Sequence, residues 1–326
     1  MDRRTFLVLA GGTLAWPPRA LAQTGRMQRV GLGFQVSKAV AKPVEEAFLA
    51  GLHDHGYAIG RNLAIDVRYA DGDAGRLPAI ADELIALKPD VLAGFESMAQ
   101  AMRAKTTTIP IVLTASSNPV GSGLAQSLGR PGGNITGISS QYEDLPPKII
   151  EILREINPRL LRIGLMVDST FSGSKGIEDS ARTAARTVGA TLISYRVANR
   201  EEIEKAFAEM SKARPDALLL SGGGVLSNLF GMIIENCQRL RIPFPWVPGA
   251  SNEAAAAALF LFGPNWVQGY RDAAKYVDRI LRGAKPGDLP IEQPTRFEMV
   301  INLKTARALG LKIPQSVMLR ADRVIE

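Results

Sequence analysis

Residues 91–117 read VLAGFESMAQAMRAKTTTIPIVLTASS, and this stretch decides the fold. An aliphatic run, Val91 to Gly94, leads into an amphipathic segment, Ser97 to Lys105, and then into a second aliphatic run, Ile109 to Thr114. Apolar runs without polar alternation suit strands covered on both faces, and the segment between them has the length and period of a helix. Two strands joined through a helix lie parallel, so the stretch is one strand–helix–strand unit.

The same grammar extends in both directions. Upstream, Arg29 to Phe34 reads as a strand, Pro43 to His55 as a helix, Leu63 to Tyr69 as a strand and Gly75 to Leu87 as a helix. After the glycine-rich link at residues 130–134 (RPGGN) it restarts with a helix from Pro147 to Ile156 and a strand from Arg162 to Val167. A helix from Ser174 to Thr187, a strand from Thr191 to Arg196, a helix from Arg200 to Lys212, a strand from Ala217 to Leu220 and a helix from Leu226 to Leu240 follow. Two similar α/β halves are implied, each a Rossmann-like lobe of parallel sheet flanked by helices.

A third portion begins at Pro245. It holds the strand-like Leu259 to Phe262, a helix from Tyr270 to Leu281, an extended stretch from Ala284 to Phe297, the run Met299 to Asn302 and a short helix from Thr305 to Leu309. Its length fits neither half alone. The expectation is that the chain crosses between lobes three times, with residues 28–138 and 248–283 in the first and 139–247 and 284–326 in the second.

Composition agrees with this architecture. The 326 residues are 46% hydrophobic but only 6% aromatic, an aliphatic balance suited to buried parallel strands, and a chain of this length exceeds one ordinary core. Residues 1–22 read as an export signal: Arg3 and Arg4 precede the apolar run Phe6 to Trp16, and Ala20-Leu21-Ala22 has the small-residue pattern of a cleavage site. The arginine pair followed by Thr5-Phe6-Leu7 fits the twin-arginine route, while an ordinary secretory signal with two arginines reads the same way. The run is too short to span a membrane, so the mature chain is expected free in the periplasm.

Net charge is +7, of which the first 22 residues contribute +2, leaving +5 spread along helices beside acidic residues. No basic stripe marks a nucleic-acid reader. The single cysteine, Cys237, falls in an apolar helical stretch and has no internal partner for a disulfide.

In open parallel sheets, ligands bind outside the carboxyl ends of the strands. The groups standing there are Gln35 and Val36; Phe95, Glu96 and Ser97; Ser116, Ser117 and Asn118; Asp168 and Ser169; Ser221 and Gly222; and Gly249. Small polar residues at these points also serve as ordinary caps and turns. As a site, Ser97 and the amides opening its helix would hold an anionic group, and Glu96 or Asp168 would face a cationic one. Phe95, Tyr142 and Phe262 would supply flat walls.

Catalytic patterns fail. His53 and His55, the only histidines, are two apart and do not share a helix face, so they make no metal pair. No serine or cysteine has an independent histidine partner. Gly31 and Gly33 begin a dinucleotide fingerprint that Val36 breaks, and residues 222–224 lack the Gly-Lys-Ser/Thr ending of a phosphate loop. Neither a metal, nor a cofactor, nor an enzymatic activity is expected.

Three stretches resemble the ABC-transporter substrate-binding family that includes tryptophan/phenylalanine-type binding proteins. They are residues 123–137 (GLAQSLGRPGGNITG), 270–286 (YRDAAKYVDRILRGAKP) and 288–306 (DLPIEQPTRFEMVINLKTA), and the similarity covers essentially the whole mature chain. The resemblance implies a type I periplasmic-binding fold with three crossovers, a monomer that closes on a small amino-acid-like or aromatic-acid-like molecule and delivers it to an inner-membrane permease. A sensor subunit presenting its closed form to a signalling kinase would share that fold and pocket.

The chain departs from the family near the presumed pocket. The family's Gly-Thr-Pro-Ala-Ala after the third strand is Phe95-Glu96-Ser97-Met98-Ala99, its Asp-Pro after the fourth is Asn118-Pro119, and its Gly-Gly-Leu-Met-Ser-Tyr-Gly is residues 257–263, with Phe262 in place of the tyrosine. An aromatic amino acid therefore does not carry over directly as the ligand.

Overall fold

A computed structural model describes residues 26–249 and 252–326. The export signal expected at residues 1–22 lies outside the described residues.

The first lobe is built on β1 (Gln28–Phe34), β2 (Leu63–Tyr69), β3 (Val91–Phe95), β4 (Ile111–Ala115) and β5 (Ile135–Gly137), with helices α1 (Lys38–Asp54), α2 (Leu77–Ala86) and α3 (Glu96–Lys105). Its sheet is wholly parallel in the order β2-β1-β3-β4-β5. All five residues of β4 are buried because helices cover both faces, which is why the strand reads as an unbroken apolar run.

The second lobe opens with α4 (Leu145–Ile156), β6 (Arg162–Asp168), α5 (Ser174–Thr187), β7 (Thr191–Val197), α6 (Arg200–Ala213) and β8 (Ala217–Leu220). Next come α7 (Gly224–Asn228), α8 (Phe230–Leu240), β9 (Pro245–Trp246), α9 (Asn252–Ala257) and β10 (Phe260–Gly263). The helix expected over residues 226–240 is two helices, broken at Leu229 (φ −102°, ψ 18°). Strands β7-β6-β8 form one parallel run.

The remainder of the chain is α10 (Trp266–Leu281), β11 (Glu298–Asn302), α11 (Leu303–Leu309), α12 (Gln315–Met318) and β12 (Arg323–Ile325). A second run orders β12-β11-β10-β9, antiparallel only between β10 and β11. It abuts the first where the Leu218 amide donates to the Pro243 carbonyl at 2.9 Å.

Strand pairing determines where the chain changes lobes. Residues 248–283 were expected as one segment of the first lobe, yet β10 pairs with β9 and β11 in the second, so the return crossing follows Gly263. Helix α10 then packs along α1, where Gly51 is required: a Cβ there would stand 2.4 Å from the Arg271 carbonyl oxygen. The last crossing also falls later than residue 284. Thr136 Oγ1 donates to the Leu289 carbonyl at 2.7 Å and Ile138 bridges to Glu292, tying residues 289–292 to β5 before β11 re-enters the second sheet. No helix among the described residues is long and apolar enough to cross a membrane.

Candidate functional site

The carboxyl ends of β1, β3 and β4 face those of β6 and β8 across a cleft, and the two lobes touch along it. The Ser37 amide donates to Asn228 Oδ1 at 2.9 Å, and Gln35 Nε2 lies 3.4 Å from Thr170 Oγ1. Ser172 Oγ donates to Glu96 Oε1 at 3.0 Å, and Asn118 Nδ2 donates to Glu143 Oε2 at 3.0 Å. The Phe95 and Phe171 rings meet with centroids 5.5 Å apart. Three successive residues, Thr170, Phe171 and Ser172, thus clasp the first lobe, and the cleft is closed.

Between the lobes is a cavity of about 120 Å³ with a mouth open to solvent. Phe34, Gln35, Val36, Val40 and Val44 line one side, and Tyr142, Gly222, Gly223, Gly224, Ser227, Trp246 and Val247 the other, with Phe95, Trp266 and Tyr270 at the junction. Its walls are aromatic. Phe34 stacks on Tyr69 (5.7 Å) and Tyr270 (6.1 Å), and Trp266 stands 5.4 Å from Phe95 and edge-on to Tyr142 at 6.2 Å. Burial pushes the Tyr142 phenol well above its ordinary pKa and Tyr270 up to about 12, so both hydroxyls keep their protons at neutral pH. Trp266 Nε1 and the hydroxyls of Ser97 and Ser117 are buried with no hydrogen-bond partner among the described residues, and of the three only Trp266 lines the cavity. Such donors are costly to leave unmade.

Of the residues read from the sequence, Gln35, Val36, Phe95, Tyr142 and Gly222 line this cavity. The two acids stand one layer behind it, engaged by the protein itself. Glu96, 1% exposed, accepts on Oε2 from Ser116 Oγ (2.8 Å), the Ser117 amide (2.6 Å) and the Asn118 amide (3.4 Å), and on Oε1 from Ser172. Asp168, 0% exposed, accepts on Oδ1 from the amide and hydroxyl of Thr170 at 2.9 and 2.6 Å, and on Oδ2 from the Val225 amide at 2.9 Å. Burial raises the Asp168 pKa, and the Thr170 and Val225 donors oppose the rise.

The others fall elsewhere. Ser221 Oγ accepts from the Asp168 amide at 2.9 Å and braces the strand ends. The Ser169 amide donates to Val197, and Asn118 lines a polar hollow with Ser117 and Glu143. Gly249 borders a separate hollow beside Pro43 and Arg296, and Phe262 stacks on Phe297 at 6.0 Å without reaching the aromatic cavity.

Sequence reasoning missed the walls Phe34, Trp246, Trp266 and Tyr270. One signal was available: Trp266 and Tyr270 are four apart in the first turns of a helix just after a lobe crossing, so they share one face at the cleft. The described residues contain no group of three or more His, Cys, Asp or Glu side chains placed to hold a metal ion.

Two α/β lobes, three crossings and an interlobe cavity define a ligand-binding protein of the type I periplasmic-binding fold. The model of the ABC transporter substrate binding protein family matches residues 30–325, and the chain belongs to that family of solute-binding, non-enzymatic proteins. It is 25% identical over 289 residues to the tyrosine-binding protein of Clostridioides difficile (strain R20291), spanning 88% of this chain and 82% of that one. The crystal structure of the ABC domain in complex with L-Trp from Streptococcus pneumonia superposes with a TM-score of 0.84 at 25% identity, covering 91% of this chain and 99% of the other. A conserved domain protein from Vibrio cholerae O1 biovar El Tor gives 0.83 at 27% identity over 92% and 100%.

Proposed function

We propose that this protein is the exported receptor of an ABC importer, a monomer that captures one small molecule with a flat aromatic body in the interlobe cavity and presents it to an inner-membrane permease. The observation that carries this reading is the cavity itself, walled in part by six aromatic side chains drawn from both lobes and from the crossing between them: Phe34, Phe95, Tyr142, Trp246, Trp266 and Tyr270. Flat apolar rings bury a planar ligand at low entropic cost. That the relatives from S. pneumoniae and C. difficile are described with L-Trp and tyrosine supports the ligand class.

Closure is the working motion. A ligand touching both lobes stabilises the closed state by its differential affinity for it, and the closed form is what a permease would recognise. Arg3 and Arg4 and the apolar segment after them support a periplasmic location reached by the twin-arginine route. Calorimetric titration with indole-, phenol- and phenyl-bearing metabolites tests the reading. Saturable one-to-one binding that weakens when Trp266 becomes Ala supports it; heat-silent titrations across the whole panel refute it.

A further inference from the structure

The cleft wall carries two buried carboxylates that the chain satisfies from its own donors. At the end of β4, the Ser117 and Asn118 amides and the Ser116 hydroxyl converge on Glu96 Oε2. Convergent amides of this kind form a cradle suited to a bound anion, and here the protein supplies the anion. At the start of α7, the Val225 amide is taken by Asp168 in the same way. Every group in hydrogen-bond contact with the side-chain oxygens of these two acids donates to them. Both lie close to the ligand space. Glu96 adjoins Phe95, a wall residue, and Asp168 lies directly behind Gly223, where a Cβ would stand 2.3 Å from Asp168 Oδ2. Among the described residues no side chain lining the cavity is charged, so no lysine, arginine or histidine among them balances the two acids there.

We propose that the cavity selects aromatic ligands by charge, favouring an amine-bearing or neutral molecule and rejecting one whose only charged group is a carboxylate. The inference rests on the aromatic-ligand reading above and narrows it. A ligand carboxylate entering near α3 would meet Glu96 at the helix start, in a low-dielectric wall, with the adjacent β4 cradle already filled. An ammonium in the same place gains from Glu96, and one near Gly223 gains from Asp168.

The test is calorimetry on the full exported chain with four compounds sharing one ring: tryptamine, L-tryptophan, indole and indole-3-acetate. Tryptamine is expected to bind at least as tightly as L-tryptophan and at least tenfold more tightly than indole-3-acetate. Glu96→Gln, which keeps an acceptor for the cradle but removes the charge, should shrink the tryptamine-to-acetate ratio at least threefold. Asp168→Asn is the second variant should the first lose its fold, judged by circular dichroism, and its expected effect has the same direction. Indole-3-acetate binding as tightly as tryptamine, or L-tryptophan exceeding tryptamine tenfold, overturns the charge selection while leaving the aromatic cavity intact. Failure of all four, with the same silence from phenol and phenyl analogues, overturns the aromatic-ligand reading and this inference with it.

Discussion

Replacing Ser172 with Ala isolates the clasp between lobes. Its hydroxyl donates to Glu96 Oε1 at 3.0 Å across the cleft, and Ser172 is exposed, so the substitution leaves both lobe cores untouched. A hydrogen bond to a charged acceptor contributes about 1.5–3 kcal/mol net, and water reaching an exposed partner brings this nearer to about 1.4 kcal/mol. In the open state water solvates that oxygen in either variant, so the loss falls on the closed state alone. The closed-to-open ratio should therefore drop about tenfold, because 1.4 kcal/mol is a factor of ten. Where the free protein is mostly open, ligand affinity drops by the same factor. Dyes on Ala86→Cys and Ala208→Cys, exposed positions on opposite lobes, report closure by energy transfer. Native Cys237 is buried, and burial raises its thiol pKa far above neutral, so it stays unlabelled. Ser169→Ala serves as control, since its side chain is exposed and faces no such partner among the described residues. If Ser172→Ala and Ser169→Ala give the same closed fraction, the clasp does not hold the lobes.

Other perturbations follow from packing and backbone. Phe48, fully buried where α1 meets α10, should cost about 3–5 kcal/mol on truncation to Ala, seen as a lower urea midpoint; an unmoved midpoint contradicts the docking of α10 on the first lobe. Gly223 has φ +105° with Asp168 behind it, so Gly223→Ala should destabilise by about 1–3 kcal/mol in thermal melts and weaken ligand binding with it. Changing Arg3 and Arg4 together to Lys keeps the positive charge but breaks the twin-arginine pattern, and periplasmic yield should collapse. An unchanged yield assigns export to the general secretory route.

Much of the fold was legible because its signals are local. The helix from Ser174 to Thr187 and the strand from Ala217 to Leu220 were read correctly at both ends, since aliphatic runs bounded by turns leave little choice of register. Pro43 misled the reading of α1. Proline favours a helix start, yet Ser37 precedes the first turn and the helix runs through Pro43 from Lys38. The short β9 and β12 exist only by pairing with distant strands, which no local pattern displays. The same limit applies to the site. Polar strand ends marked the cleft, but Trp266 and Tyr270 reach it just after a chain crossing and Trp246 from the short β9, and the donors that occupy Glu96 and Asp168 include Ser117, Ser172 and Val225.

Equilibrium dialysis of the exported chain against a pool of aromatic metabolites, with mass spectrometry of both chambers, tests the central claim most directly. The account predicts that one aromatic compound accumulates with the protein to one molecule per chain and is recovered chemically unchanged after denaturation. Equal concentrations of every compound in both chambers, or the appearance of a new product, would contradict it.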